Sequence, residues 1–79
     1  MDRNQILEKL NGIFRNELDN DQLVISEATK ADDVEEWDSL SHIQLIVAIE
    51  KAFKIRFSSA EIQKWKNVGE MIDTMESKA

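Results

Sequence analysis

The chain has 79 residues, neither cysteine nor proline, and a formal net charge of −6 at pH 7. This length allows one domain, which we assign to residues 1–79, and leaves little room for a deep catalytic cleft. The acidic balance argues against nucleic-acid binding, the missing cysteine excludes disulfides and thiolate metal sites, and no apolar run approaches the roughly 20 residues of a membrane span.

The first predicted element is an amphipathic helix from about Asp2 to Leu18. Its apolar residues recur at the spacing of a single helical face. They are Ile6, Leu7, Leu10, Ile13, Phe14 and Leu18. Asp2, followed three residues later by Gln5, predicts the N-cap of this helix.

A long acidic loop is predicted over residues 19–37, which lack sustained periodicity. The apolar residues expected to anchor it to the core are Val24, Ile25, Ala28, Val34 and Trp37. Residues 21–38 contain seven acids and one base, so this segment alone equals the net charge of the whole chain. Such loops are often functional, and this one favours partners with basic surfaces.

A second helix is predicted from Ser39 to Phe53, with Asp38 as its N-cap. It is apolar over most of its surface, which predicts that it lies at the centre of the fold. Lysines near its C-terminal end complement the helix dipole.

Two more helices complete the predicted fold. Ser58 and Glu61 form a capping box that begins a short third helix, and a similar pattern at residues 67–70 begins a fourth. The sequence therefore predicts an all-α four-helix bundle with one short helix and a long acidic loop between the first and second helices.

Ser39 is the most informative residue of the chain. It stands between Asp38 and Leu40, where the acidic segment ends and the apolar second helix begins. The N-terminus of a helix presents free N–H groups and the positive end of the dipole, so it suits an attached phosphate. Asp and Ser are also ordinary capping residues, and Asp-Ser-Leu by itself is weakly specific.

Together with the segments at residues 49–55 and 67–72, this motif resembles the acyl carrier protein family over all four helices. The resemblance implies that a phosphopantetheinyl transferase moves 4′-phosphopantetheine from coenzyme A onto Ser39. It implies that Asp38 caps the helix and is recognised by the transferase. The thiol of the arm would carry acyl groups as thioesters to partner enzymes. The resemblance thus implies a carrier, not an enzyme, which we expect to be cytoplasmic, monomeric and without a metal site.

The resemblance also implies surfaces for partners and for the acyl group. Partner recognition is expected at Trp37, Leu40 and Glu50, through enzymes with basic surfaces. An acyl pocket is expected between the second helix and the segment that follows it. The matching residues are Phe53, Phe57, Ile62 and Trp65. Their bulk predicts a shallow pocket for short or polar acyl groups, because protein interiors are already densely packed.

The second helix departs from the family pattern. Relatives in fatty acid synthesis carry several acids there, whereas Glu50 is the only acid here and Lys51 follows it. Many relatives have glycine where Trp37 or Lys54 stands. We therefore expect service in a specialised pathway rather than a standard fatty acid synthase.

The same residues raise three alternatives to an acyl carrier. A peptidyl or aminoacyl carrier would use the same arm with a different cargo, and a small acidic helical interaction module would carry no prosthetic group. Hydrolysis by Ser39 and His42, three residues apart on one helix face, is disfavoured because no third residue orients the pair. His42 is expected to be a surface residue near the arm.

Overall fold

The structure, a computed structural model that describes residues 2–78, contains four α-helices. They are α1 (Arg3–Glu17), α2 (Ser39–Phe53), α3 (Ser59–Lys64) and α4 (Val68–Lys78). A single 3₁₀ turn, Ala31–Asp33, interrupts the segment between α1 and α2 in the described part of the chain. The predicted all-α fold with a short third helix is confirmed.

Local capping sets where the helices begin. Asp2, Asp38 and Ser58 are the N-caps of α1, α2 and α3, and each forms a reciprocal capping box. At α4 the Asn67 Oδ1 atom accepts the backbone N–H of Glu70 at 2.9 Å. These bonds involve neighbours in sequence, which is why the helix starts could be predicted.

The core lies where α1 packs against α2 and α4, while α3 packs against α4. Its largest fully buried side chains are Phe14, Ile6, Leu10, Leu45, Ile49, Met71, Ile72, Met75 and Val68. Removing one of the large aliphatic side chains typically costs about 2–5 kcal/mol. This core fixes the direction of α2 and therefore the position of its first residue.

The segment between α1 and α2 is bonded to α1 and to α4. Asn11 of α1 brackets Ile25, accepting its N–H at 2.7 Å and donating to its carbonyl at 3.2 Å. The N–H of Gly69 donates to the carbonyl of Glu27 at 2.8 Å, and a Cβ at position 69 would lie 3.0 Å from that oxygen. Glycine at this position allows the approach. The Arg3 guanidinium binds the Glu27 carboxylate and lowers its pKa.

The predicted anchors of this segment are only partly right. Ile25, Val34 and Trp37 are buried, whereas Val24 is 73% exposed and Ala28 is exposed. Neighbouring side chains of an extended segment point to opposite sides. Burying Ile25 therefore turns Val24 toward solvent.

Candidate functional site

Ser39 is the first residue of α2 and is exposed. The start of the helix is capped by a reciprocal pair of bonds: Asp38 Oδ1 accepts the Ser41 N–H at 2.9 Å, and Ser41 Oγ accepts the Asp38 N–H at 2.8 Å. Ser41 Oγ also donates to the Glu36 carbonyl at 2.8 Å. Within residues 2–78 the Ser39 hydroxyl makes no hydrogen bond. The hydroxyl therefore lies at the positive end of α2 and is accessible for covalent attachment of a group.

The Asp38 carboxylate is held as an anion. The backbone N–H of Ser41, followed by the Ser41 hydroxyl, lowers the pKa of Asp38. Hydrogen bonds to the charged form favour that form. Asp38 thus serves as cap and as a fixed negative charge beside Ser39.

An open cleft begins at Ser39. It has a volume of about 420 Å³. Its walls are formed by Ala31, Trp37, Asp38, Ser39, His42 and Trp65. A smaller depression of about 60 Å³ shares Trp37, His42 and Trp65 and extends toward Lys66, Asn67 and Met71. Three segments distant in sequence thus meet beside the serine.

His42 lines this cleft together with Ser39 and is half-buried rather than fully exposed. Its Nδ1 accepts the Trp37 indole N–H at 3.0 Å, while the two rings stack at 5.9 Å between centroids. Burial lowers the pKa of His42. The imidazole is therefore neutral near pH 7 and carries its hydrogen on Nε2.

Trp37 joins the site to the core. It is 8% exposed and packs edge-on against Phe14, with ring centroids 4.9 Å apart. His42 Nδ1 is occupied by the Trp37 N–H, and no carboxylate within residues 2–78 hydrogen-bonds to the imidazole. The arrangement thus lacks the oriented base that hydrolysis by Ser39 would need.

The outer face of α2 carries an apolar stripe that leads away from Ser39. Leu40 is 69%, Ile43 61% and Val47 44% exposed. Their spacing places them on one side of the helix. The second helix was expected at the centre of the fold, and its buried side is formed by Leu45, Ile46 and Ile49, which leaves the stripe on the solvent side.

The far end of α2 is basic. Glu50 Oε2 accepts the backbone N–H of Phe57 at 2.9 Å, so this carboxylate ties α2 to the following loop. Exposed Lys51, Lys54 and Arg56 surround it, and none of the three forms an ion pair within residues 2–78. Lys54 also ends the helix in the left-handed conformation, with φ of 57°.

The four residues predicted to form the acyl pocket lie in different surroundings within residues 2–78. Phe57 and Trp65 are in edge-to-face contact, with centroids 4.9 Å apart, and the Trp65 indole N–H donates to Thr74 Oγ1 at 2.9 Å. Phe53 instead lines a separate cavity of about 190 Å³ with residues of α1 and α4. Ile62 is half-buried on α3. Trp65 alone of the four lines the cleft at Ser39.

Sequence reasoning missed Ala31 and the role of His42. Ala31 reaches the cleft through the 3₁₀ turn, which no motif in the sequence predicts. The short spacing from Trp37 to His42 across the helix start was the only sequence feature that could have suggested their pairing.

Comparison with known proteins places these features in a family. The family model described as "Phosphopantetheine attachment site" matches residues 8–75. The acyl carrier protein of Thermosynechococcus vestitus is 34% identical over 79 residues, covering 99% of this chain and 96% of that protein. The acyl carrier protein of Rubrobacter xylanophilus is 35% identical over 74 residues, covering 92% and 90%. The solution structure of the holo acyl carrier protein from Geobacter metallireducens superimposes with a TM-score of 0.85 at 46% identity, covering 91% of this chain and 83% of that one.

Proposed function

Because the chain belongs to the acyl carrier protein family and is a carrier with a 4′-phosphopantetheine arm, we propose that Ser39 is the residue that holds the arm. The observation that carries the proposal is the exposed Ser39 hydroxyl, which makes no hydrogen bond within the described residues and stands at the start of a 15-residue helix.

The other serines are less suited to attachment. Ser26, Ser41, Ser58 and Ser77 all use their side chains in hydrogen bonds to neighbouring residues. Ser59 makes no side-chain hydrogen bond in residues 2–78, but it begins a helix of only six residues and follows Ser58 rather than an acid. Ser39 alone combines an unengaged hydroxyl with a preceding carboxylate.

The residues around Ser39 fit a phosphopantetheine group. The free N–H groups and dipole of α2 stabilise a negative charge at this end by about 0.3–1 kcal/mol. The cleft gives room beside the hydroxyl for an attached group. When bound, the arm supplies the thiol on which acyl groups are held as thioesters.

We further propose that the charges of the chain select its partners. The acidic segment before Ser39 favours a transferase and acyl-handling enzymes with basic surfaces, with Leu40 providing an exposed apolar contact. The recognition roles of Trp37 and Glu50 remain proposals. Both side chains are already engaged inside the fold, so they would act mainly by holding the surface in place.

The basic end of α2 supports service in a specialised pathway. A partner whose binding surface is rich in arginine and lysine would be repelled by the like charges of Lys51, Lys54 and Arg56. A peptidyl or aminoacyl cargo on the same arm stays the alternative. Among residues 2–78, the helices are too short or too polar to cross a bilayer. A cytoplasmic monomer remains the expectation.

The missing cysteine makes a direct test possible. The chain has no thiol of its own, so any thiol in the working protein belongs to the arm. After treatment with coenzyme A and a broad-specificity transferase, then removal of small molecules, thiol titration should give one thiol per wild-type chain. Ser39→Ala should give none and Ser41→Ala one. A full thiol in Ser39→Ala would overturn the assignment.

A further inference from the structure

We propose that the far end of α2 binds an acidic surface of the acyl-handling enzymes that this carrier serves. The site is a groove of about 380 Å³, here called the basic groove, which lies where α2 ends and the following loop begins. Its walls are formed by Val47, Glu50, Lys51, Lys54, Ile55 and Arg56. The inference rests on the proposed function, because that function identifies the partners as enzymes that handle the arm.

The charge of the basic groove is the first reason. Lys51, Lys54 and Arg56 are exposed, and none of them forms an ion pair within residues 2–78. Against these three cations the groove contains one carboxylate, that of Glu50, so its formal net charge is +2. Glu50 Oε2 already accepts the N–H of Phe57 at 2.9 Å. The basic groove therefore attracts carboxylates, although the chain as a whole carries a net charge of −6.

The second reason is that the backbone beneath these cations is fixed. The N–H groups of Lys54 and Ile55 both donate to the Glu50 carbonyl, the second of them at 3.1 Å. Because the Glu50 carboxylate binds the Phe57 N–H, Glu50 holds the chain on both sides of Arg56. A partner side chain that enters the basic groove meets a backbone already in place. Binding therefore costs less ordering than it would at a mobile loop.

The third reason is the opposite charge at the other end of α2. Asp38 and the acidic segment, residues 21–38, come immediately before Ser39. Lys51 follows Ser39 by twelve residues, which corresponds to about 18 Å along a helix. The exposed apolar stripe of α2 connects the two ends. A matching partner surface has basic residues near Ser39, an apolar centre, and acidic residues about 18 Å away.

This arrangement gives docking a direction. A partner placed in reverse along α2 would bring its basic residues to Lys51 and its acidic residues to Asp38, and both contacts would be repulsive. In the favoured direction, Ser39 faces the basic part of the partner. The basic groove therefore selects against enzymes whose whole binding surface is basic, and it fixes the side from which the partner approaches the arm.

The test uses two synthetic helical peptides as probes. The glutamate probe has a leucine face, three lysines at one end and three glutamates about 18 Å away. The glutamine probe has glutamines in place of the glutamates. Fluorescence anisotropy at about 0.15 M salt measures the dissociation constant of each probe for the full chain.

The glutamate probe should bind about tenfold more tightly than the glutamine probe. Each of three exposed charge pairs contributes a factor of roughly two to the affinity. The overall charge of the chain, −6, favours the opposite ranking, because the glutamine probe is the more positive of the two. A preference for the glutamate probe therefore reports a local contact.

Two triple variants locate that contact. The groove variant replaces the three cations of the basic groove and should lose the preference for the glutamate probe. Its changes are Lys51→Gln, Lys54→Gln and Arg56→Gln. The control variant replaces three exposed lysines outside the basic groove and should keep the preference. Its changes are Lys30→Gln, Lys64→Gln and Lys66→Gln. In the wild type, the backbone NMR shifts caused by the glutamates should be largest at residues 51–56, which locates the contact even if a variant does not fold.

Three results would overturn the proposal. They are equal or tighter binding of the glutamine probe to the wild type, a preference for the glutamate probe that persists in the groove variant, and self-association of the wild type that the groove variant abolishes. The third result, measured by sedimentation velocity, would assign the basic groove to the acidic segment of a second copy.

The proposed function can fail separately. Probe binding does not require the arm, so the chain is measured before and after treatment with coenzyme A and a transferase. If Ser39 takes no arm, the proposed function fails, whereas the ranking of the two probes still decides whether the basic groove binds an acidic surface.

Discussion

Acidification is expected to weaken the fold through a single histidine. His42 is held neutral by burial, which lowers its pKa, and its Nδ1 accepts the indole N–H of Trp37 at 3.0 Å. Protonation turns that acceptor into a second donor and leaves the indole N–H of a buried residue without a partner. The His42 imidazole therefore binds a proton less readily in the folded state than in the unfolded chain.

The sign and the upper limit follow from proton linkage. The unfolded imidazole has a pKa of about 6.5, and the folded value is lower, so the unfolded state binds more protons as the pH falls through 6.5. The stabilisation that comes from neutral His42 is fully present above the pKa of the unfolded imidazole, and it is lost as the pH falls toward the pKa of the folded state. Between about pH 7.5 and about pH 5.5 the loss is at most about 1.4 kcal/mol. For a domain of this size each kcal/mol corresponds to roughly 4–8 °C in Tm.

Urea unfolding at a series of pH values, followed by far-UV circular dichroism, measures this loss. His42→Gln is the matched variant, because its amide oxygen can accept the Trp37 N–H and it does not titrate. The variant should show a flatter profile than wild type between about pH 5.5 and pH 7.5. Asp38 and Glu61, whose pKa values are lowered, contribute below this window. Equal slopes in the two proteins, or a wild type that gains stability in acid, would refute the assignment to His42.

Three further outcomes are expected. Ser41→Ala should lower the free energy of unfolding by about 1 kcal/mol because it removes half of the capping box, whereas Ser39→Ala should stay within about 0.5 kcal/mol of wild type. Urea unfolding of both variants measures these changes. A larger loss of stability in Ser39→Ala than in Ser41→Ala would contradict the described cap. Gln44→Glu with Lys51→Glu should speed malonyl loading of the holo form by a fatty acid synthase malonyl transferase, as measured by intact mass. The control, Gln63→Glu with Lys64→Glu on α3, changes the net charge by the same amount and should not speed loading. Wild-type loading as fast as that of a fatty-synthase carrier would count against a specialised partner. Rising ionic strength should raise the Tm by screening the repulsion within the acidic segment. The response should be flatter when Asp32 and Glu35, which form no side-chain hydrogen bonds within residues 2–78, are neutralised as amides. A Tm that does not change with salt would contradict this prediction.

The helices and the placement of Ser39 could be predicted because they depend on local chemistry. Capping residues act on backbone groups two or three positions away, and helical periodicity is visible in the sequence itself. Asp38 and Ser39 therefore sit where the pattern placed them.

The cleft at Ser39 could not be predicted, because it depends on packing between distant segments. Trp65 faces Ser39 only after α3 and α4 have packed, and the 3₁₀ turn brings Ala31 to the same place. The apolar residues of α2 posed a similar problem, since a helix that is apolar almost all round does not reveal which face the core takes. The sequence predicts partner recognition at Glu50 but not its bond to the Phe57 N–H, because that bond depends on the path of the loop that follows α2.

Localisation of the arm by tandem mass spectrometry tests the central claim most directly. Protein treated with coenzyme A and a broad-specificity transferase is digested, and the peptide that gains one phosphopantetheine is fragmented to identify the modified residue. We expect a single modified serine at Ser39, retained in Ser41→Ala and absent from Ser39→Ala, which should still be folded. Modification of Ser41, Ser59 or any other residue in the wild-type chain would contradict the account.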